Sequence, residues 1–277
     1  MRDPLISTDD LAAILEEPEV KVVDGSWFMD GRDARAGWRE AHIPGAVFFD
    51  LDGVSDTTSP LPHMLPTPEM FAREVQDIGL SETDHIVVYD QQGLFSAARV
   101  WWTFRTMGAL KVQVLDGGLP KWRAEGRPVE SGPVGTPEGL FQARLRRPLV
   151  RDFDQVSAEL ANGSQVLDAR PAARFRGEAP EPREGLRSGH MPGARNLPFA
   201  ELLNADGTMK PAGELQAAFE ASGIDPARPV TLTCGSGVTA AILALGLARL
   251  RNESAAIYDG SWAEWGSRAD AEVVTGA

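Results

Sequence analysis

Cysteine is the scarcest resource in this sequence: one residue, Cys234, in 277. A lone thiol excludes an internal disulfide framework and any cysteine-rich metal site. Positive charge is also short, with 27 lysines and arginines against 40 carboxylates and a formal net charge of −13. That balance argues against nucleic acid or an anionic membrane surface as a partner, so an anionic small molecule must be drawn by a local cluster of arginines. No window approaches the ~20 apolar residues of a membrane span. The stretch Met1-Arg2-Asp3-Pro4-Leu5-Ile6-Ser7 lacks the apolar core of a secretory leader, and a reducing cytoplasm is the expected setting. No GxGxxG follows a strand, and no glycine-rich phosphate loop ends in Lys-Ser/Thr. The Asp-rich run Asp50 to Asp56 lacks the terminal glutamate of a calcium-binding EF-hand loop.

What the chain does have is a duplication. Val22-Val23-Asp24 returns as Val166-Leu167-Asp168, and Ala41-His42-Ile43-Pro44-Gly45-Ala46 as Gly189-His190-Met191-Pro192-Gly193-Ala194. Ile86 to Asp90 matches Val230 to Cys234, and Leu115-Asp116-Gly117-Gly118 with Trp122 matches Tyr258-Asp259-Gly260-Ser261 with Trp265. The matched anchors stand 143 to 148 positions apart. The expected organisation is an N-terminal domain over 1–130, a Pro/Gly/Arg-rich linker over 131–150 and a C-terminal domain over 151–277. Each half alternates short β-branched strands with helical runs, such as 67–78 before 86–89 and 213–221 before 230–233. This predicts an α/β fold in which each domain is a mainly parallel sheet with helices on both faces and ligands at the carboxyl ends of the strands.

Cys234 falls at such an end. Val230 to Thr233 reads as a buried strand, and from Val238 onward apolar residues recur at helical spacing. Gly235 and Gly237 give the intervening backbone freedom to turn its amides inward. Amides gathered at a helix N-terminus favour an anion and are expected to lower the thiol pKa from its free value of about 8.5. A free cysteine after an apolar strand is more commonly a small buried hydrophobe, and the two glycines and the helix start are what favour chemistry here. A Cys-loop phosphatase is excluded by Ala240, which stands where that chemistry needs an arginine. In the first half the matching residue is Asp90, which has no thiol, so that half is expected to be catalytically silent.

Cys234-Gly235-Ser236-Gly237-Val238-Thr239-Ala240 resembles the active-site loop of the 3-mercaptopyruvate sulfurtransferases, in the two-domain rhodanese family. The resemblance covers nearly the whole chain and implies two tandem rhodanese-like domains. It further implies transfer of sulfur from 3-mercaptopyruvate through a Cys234 persulfide to a thiol, cyanide or a thioredoxin-like acceptor, with no metal or organic cofactor. Thiosulfate sulfurtransferases of the family typically carry a basic pair where this chain has Gly235 and Ser236. Thiosulfate as donor, and a non-catalytic binding module, are the competing readings.

The resemblance also implies roles at a distance from the loop. Arg174 and Arg183 match the carboxylate-binding arginines, while Arg170 and Arg176 read as members of solvated ion pairs with Glu178, Glu181 or Glu184, which contribute little. Asp52 and His63 match residues held to assist the loop serine, Ser236, in moving protons. They lie in a long loop, Asp50 to Pro66, that is expected to have no counterpart in the second half. Donor contacts are expected from Gly235, Gly237, Val238 and Thr239. His42 and His190 occupy the same His-X-Pro-Gly turn in both halves, and that sharing favours a structural role.

Overall fold

The computed structural model describes residues 3–276; Met1, Arg2 and Ala277 lie outside the described residues. It divides into two compact units. The first takes the chain as far as Thr57, then Leu65–Arg146 and Asn204–Met209; the second takes Thr58–Met64, Arg147–Leu203 and Lys210 onward.

The first unit runs β1 (Leu5–Ile6), α1 (Thr8–Ile14), β2 (Val20–Asp24), α2 (Ala34–Glu40), β3 (Val47–Phe48), α3 (Pro68–Asp77), β4 (His85–Tyr89), α4 (Ala97–Thr106), β5 (Lys111–Leu115) and α5 (Gly118–Ala124). Its five strands are parallel, in the order β1-β5-β4-β2-β3. The central strand β4 is buried at all five positions, as a strand covered on both faces must be. On one face Val22, Val87, Tyr89 and Leu115 meet Leu11 of α1 and Trp122 of α5. On the other, Val88 and Val100 of α4 close so tightly over Gly25 that a Cβ there would touch both. Phe71 of α3 and Phe104 of α4 meet edge-on at 5.2 Å, and Phe141 adds a third ring 5.4 Å from Phe71. Burying a ring of this size contributes about 2–3 kcal/mol. Phe141 belongs to the stretch between the repeats, and that stretch is bound to the first unit: Gly139 N–H donates to Gln76 O and Arg144 N–H to Met107 O.

The second unit runs β6 (Val150–Arg151), α6 (Phe153–Ala161), β7 (Gln165–Asp168), α7 (Ala172–Phe175), β8 (Arg195–Asn196), α8 (Ala212–Ala221), β9 (Val230–Thr233), α9 (Ala240–Arg249), β10 (Ala256–Tyr258) and α10 (Ser261–Trp265). The order β6-β10-β9-β7-β8 repeats the first sheet strand for strand, again all parallel. Helix α6 opens on a capping box, with Asp152 accepting from Gln155 N–H and the Gln155 side chain returning the bond. Val156 of α6, Val166, Tyr258, Trp262 and Trp265 pack together on one face. Helix α9 is buried all round from Ala240 to Ala248, and its Gly246 admits Leu202 and Phe219 at close range.

One expectation is corrected here. The insertion carrying His63 does have a counterpart: residues 204–209 join the first unit as 58–64 join the second. His63 and Gly207 stand one repeat length apart. Gly207 packs on Gly93 in the loop after β4, where a Cβ on Gly93 would lie 3.3 Å from the Gly207 Cα. The two segments share no sequence pattern, so only the three-dimensional structure pairs them.

Candidate active site

Strand β9 delivers Cys234 to the carboxyl edge of the second sheet, 2 % exposed. The loop from Gly235 to Thr239 then turns the chain into α9. The first turn of α10 fixes it from below, with Trp262 N–H donating to Cys234 O at 3.0 Å and Ala263 N–H to Gly235 O at 2.9 Å. The Cys234 N–H donates to Ser261 Oγ at 3.4 Å, and that hydroxyl donates in turn to Tyr258 O. Ser261 holds φ at +49°, a region unfavourable to a side chain and tolerated where surrounding structure fixes it.

The two loop glycines serve different needs. Gly237 sits at φ +77° and uses its conformational freedom. Gly235 is not among the residues with positive φ, contrary to the reading that both bend the backbone in this way. Its need is for space: a Cβ at Gly235 would stand 3.2 Å from Arg174 Nη2 and 4.0 Å from Arg183 Nη1. Both arginines chosen from the sequence therefore converge on the cysteine loop. Arg183 Nη2 also lies 3.5 Å from Ser236 Oγ. Val238 is buried beside them, and the carbonyls of Val238 and Thr239 accept from Ala241 and Ile242 as α9 begins.

His63 is part of the second unit and reaches the same loop, with Nδ1 3.0 Å from Ser236 Oγ. It is 5 % exposed and holds φ at +59°. A buried non-glycine residue in that region stores of order 1 kcal/mol or more, and such residues cluster at functional sites. Asp52 belongs to the first unit, where its carboxylate accepts from Trp27 Nε1 at 3.1 Å.

The arginine-rich segment differs from a solvated loop at one end. Arg176 and Glu178 do form an exposed pair. Arg170, however, is 1 % exposed, gripping Asp168 through Nη2 at 2.6 Å and Glu181 through Nη1 at 2.7 Å, with its guanidinium over the Trp262 ring at 4.2 Å. Glu181, also 1 % exposed, gives its second oxygen to Arg174 Nη2. The buried chain Asp168, Arg170, Glu181, Arg174 ends at the cysteine loop. Sequence reasoning missed Glu181 as a member of the site. The available signal was Pro180-Glu181-Pro182, a carboxylate held between two stiff residues.

The matching loop of the first unit is occupied by its own anion. The Asp90 carboxylate accepts backbone N–H groups from Gln92, Phe95 and Ala97 at 2.6 to 2.9 Å. Burial raises its pKa, and these amides pull the other way. Leu119 N–H holds Asp90 O at 3.0 Å, as Trp262 N–H holds Cys234 O. His42 and His190 are buried with Nδ1 against a backbone carbonyl, Trp38 O at 2.7 Å and Phe175 O at 2.9 Å, and both brace their turns.

Among the described residues no helix is long and apolar enough to cross a membrane. The family model for the rhodanese-like domain matches residues 7–125 and 152–268. The chain is 45 % identical to the 3-mercaptopyruvate sulfurtransferase of Escherichia coli K12, covering 97 % of this chain and 96 % of the relative. It is likewise 45 % identical to thiosulfate/3-mercaptopyruvate sulfurtransferase 1, mitochondrial, of Arabidopsis thaliana, over 97 % of this chain and 77 % of that one. The crystal structure of the 3-mercaptopyruvate sulfotransferase SseA from Escherichia coli superposes with a TM-score of 0.87 at 42 % identity, covering 94 % of this chain and 99 % of that one. Two sheets of identical strand order, one ending in a cysteine loop and one in a carboxylate, together with these matches, mean that the chain belongs to the tandem rhodanese-domain sulfurtransferases.

Proposed function

We propose that this protein moves the sulfur of 3-mercaptopyruvate through a persulfide on Cys234 to a thiol, cyanide or thioredoxin-like acceptor, releasing pyruvate. The observation that carries the reading is the convergence of Arg174 and Arg183 on a loop whose own residues Gly235 and Ser236 are uncharged. Two guanidinium forks suit a carboxylate next to a carbonyl. A loop without its own cations suits a monoanion better than the compact dianion thiosulfate.

In the first half-reaction the Cys234 thiolate attacks the donor sulfur. An S–S bond forms, the donor C–S bond breaks, and its electron pair leaves as the enolate of pyruvate. The proton brought by the donor thiol passes to the enolate carbon. His63 and Ser236, 3.0 Å apart, supply a route for it; a supporting role for Asp52 comes from the family resemblance. In the second half-reaction an acceptor nucleophile attacks the outer sulfur and Cys234 leaves as thiolate. Amides of the loop from Gly235 to Thr239 favour anionic sulfur in both states, an oxyanion-hole type of preorganisation. The Asp90 cradle, built on the corresponding residues, supports that assignment. A lone thiol that must stay reduced between turnovers favours a cytoplasmic setting.

The test is steady-state turnover with 3-mercaptopyruvate and with thiosulfate, cyanide as acceptor, for the wild type and Cys234→Ser. The expected result is a large preference for 3-mercaptopyruvate and a loss of at least about 10³-fold in the variant. Preference for thiosulfate would keep the persulfide and overturn the donor. Absence of Cys234-dependent turnover with either donor would make the protein a binding module.

A further inference from the structure

We infer that Glu181 is the charge-selecting residue of the donor pocket, disfavouring dianionic donors by holding a fixed negative charge behind Arg174. The inference rests on the sulfur-transfer reading above. Glu181 is almost wholly withdrawn from solvent, its side chain 1 % exposed, and it bridges two arginines. Arg170 occupies one oxygen and is itself neutralised by Asp168 on its other side. The second oxygen bonds Arg174 Nη2, the atom that stands 3.2 Å from a Cβ position at Gly235. The carboxylate therefore lies one guanidinium away from the surface of the cysteine loop.

That placement has two effects on a donor. The first is geometric: a guanidinium tied by one edge to a buried carboxylate is oriented before the donor arrives, which helps any carboxylate-bearing ligand equally. The second scales with the donor's charge. A buried charge is screened much less than one in water, and its repulsion of a dianion is twice its repulsion of a monoanion at the same place. Thiosulfate loses more than 3-mercaptopyruvate does. The Asp168–Arg170 pair behind it keeps Glu181 fixed in place. Glu181 acts through Arg174 and is a positioning residue.

The test compares kcat/KM for thiosulfate and for 3-mercaptopyruvate in wild type, Glu181→Gln and Glu181→Asp, with Cys234→Ser as the zero. Glu181→Gln keeps the shape and removes the charge, and the thiosulfate to 3-mercaptopyruvate ratio should rise about tenfold, chiefly through KM for thiosulfate. Glu181→Asp keeps the charge and shortens the reach, so KM should rise for both donors together and the ratio should stay within about twofold. An unchanged ratio in Glu181→Gln overturns the inference, and so does a ratio moved by Glu181→Asp. If the glutamine variant does not fold, Glu181→Ala, which also removes the charge, carries the test, and a ratio unchanged in it overturns the inference. A wild type without Cys234-dependent turnover would instead sink the sulfur-transfer reading, a result distinguishable from either.

Discussion

After β4 the chain places Asp90 where after β9 it places Cys234, and the surroundings differ in step. Asp90 uses the amides of its own loop, accepting from Gln92, Phe95 and Ala97, while Gly207 sits against Gly93 where the corresponding segment of the other unit brings His63 to Ser236. The loop after β9 is faced by Arg174 and Arg183. A rhodanese loop is a place for an anion. In the first unit a permanent carboxylate satisfies the amides; in the second a cysteine stands there instead, with Arg174, Arg183 and His63 against its loop.

A second contrast lies beneath the loops. Asp24 and Asp168 are equivalent, and each accepts the backbone N–H two residues on, from Ser26 and Arg170 respectively. Arg170 also forks onto Asp168. Asp24 has Ser26 and Gln91 instead, and burial pushes its pKa up to about 6 against the partial opposition of those hydrogen bonds.

These contrasts can be broken or sharpened by experiment. The largest effect is expected from moving the nucleophile. Asp90→Cys in a Cys234→Ser background should show no measurable sulfurtransferase turnover, because Gly207 stands where His63 would be needed; turnover above about a thousandth of wild type would mean that a cysteine alone makes the loop catalytic.

Next is the pH dependence of the first unit. Asp24 has a folded-state pKa raised from 3.8 to about 6. Its contribution to stability is therefore complete below about 4 and lost as pH rises through about 6, a difference of about 3 kcal/mol at most. Hydrogen exchange of β2 and β4 should show stronger protection at pH 4.5 than at pH 7.5, and Asp24→Asn should flatten that dependence. A slope unchanged by the substitution would remove Asp24 as its source.

His63→Ala should lower kcat by about 10- to 100-fold with little change in the KM for 3-mercaptopyruvate, as loss of a proton route does. A rise confined to KM would make His63 a binding residue. The smallest effect belongs to Gly235→Ala. Its new Cβ must push Arg174 Nη2 aside by a few tenths of an ångström, so KM for the donor should rise a few-fold at unchanged kcat.

The duplication, the parallel sheets and the position of Cys234 were legible in the sequence because they rest on local patterns: β-branched strands, helical spacing and turns repeated at a nearly constant interval. Arg174 and Arg183 were legible through the family pattern. Arg170 and Glu181 were misread because the local sequence, four arginines among acids and prolines, is that of a solvated loop. Nothing in it tells that the Trp262 ring, 92 residues beyond Arg170, covers that guanidinium. The strain at His63 and Ser261 was hidden for a related reason, since positive φ at a non-glycine residue is imposed by distant partners. The pairing of residues 58–64 with 204–209 was invisible because the two segments do the same topological job with unrelated residues.

The traffic of those short segments bears on how the molecule is made. The first unit includes residues 204–209, and the second includes 58–64. During synthesis from the N-terminus the first unit leaves the ribosome before its final piece exists, and it is completed only when about half of the second has been translated. A gene cut between the repeats would yield a C-terminal fragment with the nucleophile but without His63, and an N-terminal fragment with the loop around Asp90 lacking Gly207. The two repeats are separate as sheets, yet each is completed by a short piece of chain that lies within the other's stretch of sequence.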